Sequence, residues 1–135
     1  METARTKYIS DLRTEILHVR SGSIITTDAP VDNKGKGEYF SPTDMVASAL
    51  GSCIFTIMGI AAREHDFSID GSSCKITKIM TESPRKIGEI KIEFDFTGYD
   101  YSDKQKKILE YCVKTCPVAL SLNESVFQNV KLLFK

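Results

Sequence analysis

Between Ser41 and Arg63 the chain reads SPTDMVASALGSCIFTIMGIAAR, and no other segment constrains the fold as much. Ser41 suits a helix N-cap, Pro42 suits the first helical position, where no backbone donor is needed, and Asp44 stands where a side chain closes a capping box. From there Met45, Val46, Leu50, Ile54, Phe55, Ile57, Met58 and Ile60 fall on every face of a helix running to about Glu64. A helix with no polar face must be covered on all sides, so it belongs at the centre of whatever fold forms. Its length approaches that of a bilayer span. Ser48, Gly51, Ser52, Thr56 and Gly59 dilute the hydrophobicity, however, and allow another helix to approach closely. The segment therefore predicts a buried helix of a soluble domain, with part of its cover supplied by a second subunit.

The flanking sequence supplies the sheet that such a helix needs. Tyr8-Ile9, Glu15 to Val19 and Ile24 to Thr27 read as short strands, the last two joined by a turn at Ser21-Gly22-Ser23. Asp28 to Phe40, with one proline and two glycines among polar residues, reads as a mobile loop. Ser73 to Thr81 and Glu89 to Thr97 read as strands connected through Ser83-Pro84-Arg85; in the second, Ile90, Ile92, Phe94 and Phe96 alternate with Lys91, Glu93 and Asp95, the mark of a sheet with one wet face. Ser102 and Gln105 form a second capping box, opening a helix with an Ile108, Leu109, Cys112, Val113 stripe. Pro117 restarts a short helix, and Val126 to Phe134 closes the chain as a strand. This order predicts an α+β fold in a single domain spanning residues 1–135, with no internal repeat.

Composition narrows the function. Eighteen basic and eighteen acidic side chains cancel, leaving no net field to hold a phosphate backbone or an anionic membrane, so neither nucleic acid nor membrane is an expected partner. The N-terminal METARTKYISDLRTE is polar and lacks an apolar h-region, which points to a cytoplasmic location. Four cysteines, Cys53, Cys74, Cys112 and Cys116, are then expected to be reduced, reactive or simply buried. The spacing of Cys112 and Cys116, with only His18 and His65 as candidate nitrogen ligands, does not match a zinc site, and no metal is expected. Cys53, mid-helix, suits packing or a shielded nucleophile. Cys116, directly before Pro117, lies near a helix start whose partial positive charge favours a thiolate. Cys74 and Cys112 read as structural.

Ser41-Pro42-Thr43-Asp44, then Ala49-Leu50-Gly51-Ser52-Cys53, and later Cys116-Pro117-Val118, together with the order of elements, resemble the OsmC/Ohr family of osmotically induced and organic-hydroperoxide-resistance proteins. The resemblance covers nearly the whole chain. It implies antiparallel sheets around a long buried central helix, in an intertwined homodimer with active sites at the subunit interface. It also implies a thiol peroxidase in which Cys53 attacks an organic hydroperoxide, becomes a sulfenic acid, and is captured by Cys116 as a disulfide. A dithiol reductant, lipoylated in the Ohr branch, would reset the pair, with no metal or organic cofactor. Substrates would be apolar enough for a pocket lined by Ile54, Phe55 and Met58. The resemblance further implies a polarising arginine near the N-terminus, Arg13 or Arg20, with Arg13 ranked first; Arg63 reads as a helix-end charge. Well-studied members carry a Glu directly after the proline, where this chain has Thr43. Asp44, one residue on and rotated by about 100°, is the candidate acid or else simply closes the capping box. The alternative reading is a dimeric binding or redox-sensing protein with the same fold.

Overall fold

A computed structural model describes residues 1–135 and divides them into two compact units, Met1–Val46 and Ala47–Lys135. In the first unit, β1 (Ala4–Ser10), β2 (Arg13–His18) and β3 (Ile24–Asp28) form an antiparallel meander in the order β1-β2-β3. Asp11 and Leu12 turn β1 into β2 with φ of 52° and 66°, and the Leu12 N–H donates to the Tyr8 hydroxyl at 3.1 Å. β1 begins four residues earlier than its apolar content predicts. Arg5, Thr6 and Lys7 carry no alternation to read because every side chain of β1 is exposed; cross-strand pairing with Leu17, Ile16 and Glu15 makes the strand instead.

The loop after β3 is fastened down rather than loose. A 3-10 turn at Val31–Asn33 is followed by backbone bonds from Gly35 N–H to Pro30 O (2.9 Å) and from Gly37 N–H to Ala29 O (3.2 Å). Gly35 passes so close to Ala29 that a Cβ would lie 1.7 Å from its carbonyl oxygen, so only glycine fits.

The second unit holds most of α1 (Pro42–Glu64), then β4 (Ser73–Thr81), β5 (Lys86–Phe96), α2 (Asp103–Thr115), α3 (Pro117–Ser121) and β6 (Phe127–Phe134). β5 is central. It pairs antiparallel with β4, Ser73 opposite Asp95 through Thr81 opposite Lys86, and parallel with β6, Glu89 opposite Phe127 through Phe96 opposite Phe134. The expectation of antiparallel sheets thus holds for every pairing but this last one. α2 and α3 act as the crossover that returns the chain to run in the direction of β5, so the second sheet is mixed. On one face of β5, Ile90, Ile92, Phe94 and Phe96 are wholly buried; they form one core with Ala47, Leu50, Ile54 and Met58 of α1, Leu109 and Cys112 of α2, and Cys116.

α1 is covered by its own chain along one side only. Its buried positions, Ala47, Leu50, Gly51, Ile54, Met58 and Ala62, form a single stripe, while Val46 and Ile60 are 37% and 50% exposed. By length and composition the helix could cross a membrane. Within the chain it serves as the core helix of the second unit, and its other apolar face lacks cover.

Candidate functional site

Two cysteines from different helices pack into one core in the second unit. Cys53 lies one residue before Ile54, at the edge of the buried stripe, and is half-buried against the core. Cys116 is wholly buried. Pro117 explains its position: the residue before a proline is excluded from helical geometry, so α2 ends, Cys116 adopts φ −64° and ψ 130°, and the same residue caps α3, with Pro117 in its first turn. The Cys116 Sγ accepts the Ala119 N–H at 3.4 Å, and the Cys53 thiol lies near enough to raise the Cys116 pKa.

Burial pushes the Cys116 thiol above its ordinary pKa, and the nearby Cys53 thiol pushes the same way, while the Ala119 and Val118 amides oppose them. The partial positive charge at the start of α3 would favour the thiolate, the opposite direction. Desolvation outweighs the two amides of a five-residue helix, and the proton stays on Cys116.

The remaining cysteines sit close by in the fold. Cys112 is buried on α2, one turn before Cys116, and donates to the Ile108 carbonyl at 3.2 Å. Cys74, on β4, faces Gly51: a Cβ there would lie 3.5 Å from its Sγ and 2.6 Å from Ile76 Cδ1. Burial raises the pKa of both thiols. No three His, Cys, Asp or Glu side chains come together as a metal site.

Arg13 and Asp44 belong to the first unit. The Arg13 guanidinium grips the buried Asp28 carboxylate through two bonds, Nε to Oδ1 at 2.7 Å and Nη2 to Oδ2 at 2.9 Å, reaches Glu38 at 2.6 Å and stacks over the Tyr39 ring at 4.8 Å. This fork geometry is what a guanidinium offers and an ammonium does not. It raises the Arg13 pKa and holds the Asp28 carboxyl below its usual value, the Arg13 hydrogen bond being the largest cause. Sequence reasoning missed Asp28 and Glu38 as partners, since they lie 15 and 25 residues away along the chain. Asp44 closes the predicted capping box: its Oδ2 accepts the Ser41 N–H, and its own N–H donates to Ser41 Oγ, each at 3.0 Å. Arg20 is exposed in the turn after β2, and Arg63 is the basic residue of the last turn of α1.

Ile54 and Met58, expected to line a pocket, are fully buried in the core instead. The open cleft lies further along the same two helices. It has a volume of about 700 Å³, with Ile57, Ile60, Ala61, Ile108, Tyr111 and Cys112 among its walls and Lys104 and Lys107 beside them. Ile57 is one turn past Cys53 and Cys112 one turn before Cys116, so the cleft begins about one helical turn from the thiol pair.

Two three-stranded sheets, a long helix bearing one cysteine, and a second cysteine at a proline-terminated helix junction define an α+β protein of the OsmC/Ohr fold. The family model described as OsmC-like protein matches residues 35–131, and the chain belongs to that family. Among solved structures, one from Psychrobacter arcticus 273-4, provisionally described as an osmotic stress induced and detoxification response protein, is 44% identical, with a TM-score of 0.94 over 98% of this chain and 96% of that one. At lower identity the likeness is one of fold. An organic hydroperoxide resistance protein OsmC from Legionella pneumophila is 12% identical (TM-score 0.72; 98% and 97% covered). The organic hydroperoxide resistance protein OhrB of Bacillus subtilis is 16% identical (TM-score 0.63; 98% of each chain covered). A search of curated protein sequences returns no match.

Proposed function

We propose that this protein is a cysteine-dependent reductase of organic hydroperoxides. The observation that carries the proposal is that Cys53 of α1 and Cys116 at the α2–α3 junction pack into one core, near enough for Cys53 to raise the Cys116 pKa. The Cys53 thiolate attacks the peroxide, the O–O bond breaks, and the alkoxide departs as the alcohol after taking a proton. The resulting Cys53 sulfenic acid is attacked by Cys116, which forms the disulfide and expels water. A dithiol reductant, such as one carried on a lipoylated protein, returns both thiols and leaves as its own disulfide. The cation proposed to polarise the thiol is the one the family resemblance implies, Arg13 with Arg20 the alternative, and Asp44 acts by fixing the start of α1. A homodimer fits the uncovered apolar residues, Val46 and Ile60 on α1 and Tyr8, Ile24 and Ile25 on the first sheet. A reducing cytoplasm fits a chain whose four cysteines are free.

The test is dithiol-supported consumption of cumene hydroperoxide. Cys53→Ser should abolish it, and Cys116→Ser should leave a sulfenic acid on Cys53 that adds dimedone. Undiminished turnover in Cys53→Ser would refute the proposal. A second reading, a dimeric small-molecule-binding or redox-sensing protein, is favoured by the apolar cleft lying off the sulfur pair. Thiols that ignore hydroperoxide, with an apolar ligand retained through purification, would support that reading instead.

A further inference from the structure

The proposed cycle uses two thiols, yet a third is built into the same helix end. Cys112 lies four residues before Cys116 on one face of α2, where helical geometry sets the two Cα atoms about 6 Å apart. That separation is within the range a disulfide spans. Cys116 caps α2 and Pro117 opens α3 directly after it, so closing the last distance needs movement at the junction between the two helices. Cys116 and Cys53 also pack into the same core. The central sulfur of the three can therefore bond in either direction, to α1 or along α2.

Resting on the peroxidase reading, we propose that Cys112 is a second-stage resolving thiol. Once the Cys53–Cys116 disulfide exists, the Cys112 sulfur attacks Cys116; the Cys112–Cys116 bond forms, the Cys53–Cys116 bond breaks, and the electron pair leaves on Cys53, which takes up the proton released by Cys112. The exchange consumes no external oxidant or reductant. Its consequence is that Cys53 becomes free to react again before any reductant arrives. It also moves the disulfide to a residue that lines the open cleft between α1 and α2.

The sequence makes the two bonds distinguishable. Trypsin cuts after Lys107, Lys114 and Lys131, placing Cys112 in ILEYCVK and Cys116 in TCPVALSLNESVFQNVK. The full-length protein, fully reduced, is mixed with one equivalent of cumene hydroperoxide, acid-quenched over time and mapped without reduction. The expected result is an early link between the Cys53 and Cys116 peptides that gives way to a link between ILEYCVK and TCPVALSLNESVFQNVK. Without reductant the wild type should consume about two equivalents of hydroperoxide per chain, the second leaving a dimedone-reactive Cys53, and Cys112→Ala should consume about one. A Cys53–Cys116 link that never exchanges, with consumption stopping at one equivalent, overturns the relay and leaves the peroxidase reading intact. Absence of any link to Cys53 overturns both. The wild-type map decides the matter even if Cys112→Ala folds poorly.

Discussion

Gly51 sets how closely α1 approaches β4, two residues before Cys53, and its replacement gives a prediction with a calculable sign. A Cβ at Gly51 would lie 2.6 Å from Ile76 Cδ1, about 1 Å inside ordinary carbon contact. Gly51→Ala gains roughly 1 kcal/mol of helix propensity. It also forces Ile76 from its rotamer or displaces the helix, at about 1–3 kcal/mol for an overpacked core. The expected net change is small, between zero and a loss of about 2 kcal/mol. Ile76→Val, which deletes the offending methyl, should alone cost about 0.5–1.5 kcal/mol. Combined with Gly51→Ala, that cost should vanish or reverse, because the clash goes with the methyl. A double-mutant cycle by urea denaturation, followed by far-UV circular dichroism, should therefore show a favourable coupling of about 1 kcal/mol or more. Additivity within about 0.5 kcal/mol would refute the claim that close approach is what requires a glycine here.

Ser41→Ala removes one arm of the capping box with Asp44 and should lower stability by about 1 kcal/mol, measured by the same denaturation. Asp28 has its pKa depressed by Arg13, so the stability it contributes is present above the unfolded carboxyl value near pH 4 and is lost as pH falls below that towards its folded pKa. The difference in melting temperature between wild type and Asp28→Asn should accordingly be greatest at neutral pH and shrink below about pH 4; a difference independent of pH would contradict the Arg13–Asp28 account. Tyr101, whose hydroxyl donates to the Ser68 carbonyl at 2.7 Å, has its pKa raised to about 12, chiefly by burial. Tyr101→Phe should therefore leave the 295 nm absorbance rise below about pH 11 nearly unchanged.

Local signals were the legible ones. Both capping boxes form where the sequence sets them, because Ser41 with Asp44 and Ser102 with Gln105 act within three residues. The alternation of Ile90 to Phe96 announces the wet and dry faces of β5 directly. The cysteine before Pro117 falls at a helix junction because proline chemistry is local too. What the sequence concealed depends on distance or on competing terms. The parallel direction of β6 follows from the crossover through α2 and α3, and no residue of β6 encodes it. The grip of Arg13 on Asp28 and Glu38 joins residues far apart in the chain. The sign of the Cys116 shift turns on burial against two amide bonds, a balance invisible until the core is packed. The apolar residues all round α1 do announce that this chain alone does not cover it, and only its Leu50, Ile54 and Met58 side is buried.

The central claim is that α1 and the α2–α3 junction bring Cys53 and Cys116 together as a reactive pair. Counting free thiols before and after a single equivalent of organic hydroperoxide, quenched within the first turnover, tests it most directly. The count should fall from four to two per chain, with the Cys53 peptide joined to TCPVALSLNESVFQNVK. Four thiols still free, or a loss of thiols with Cys53 and Cys116 never linked, would contradict it.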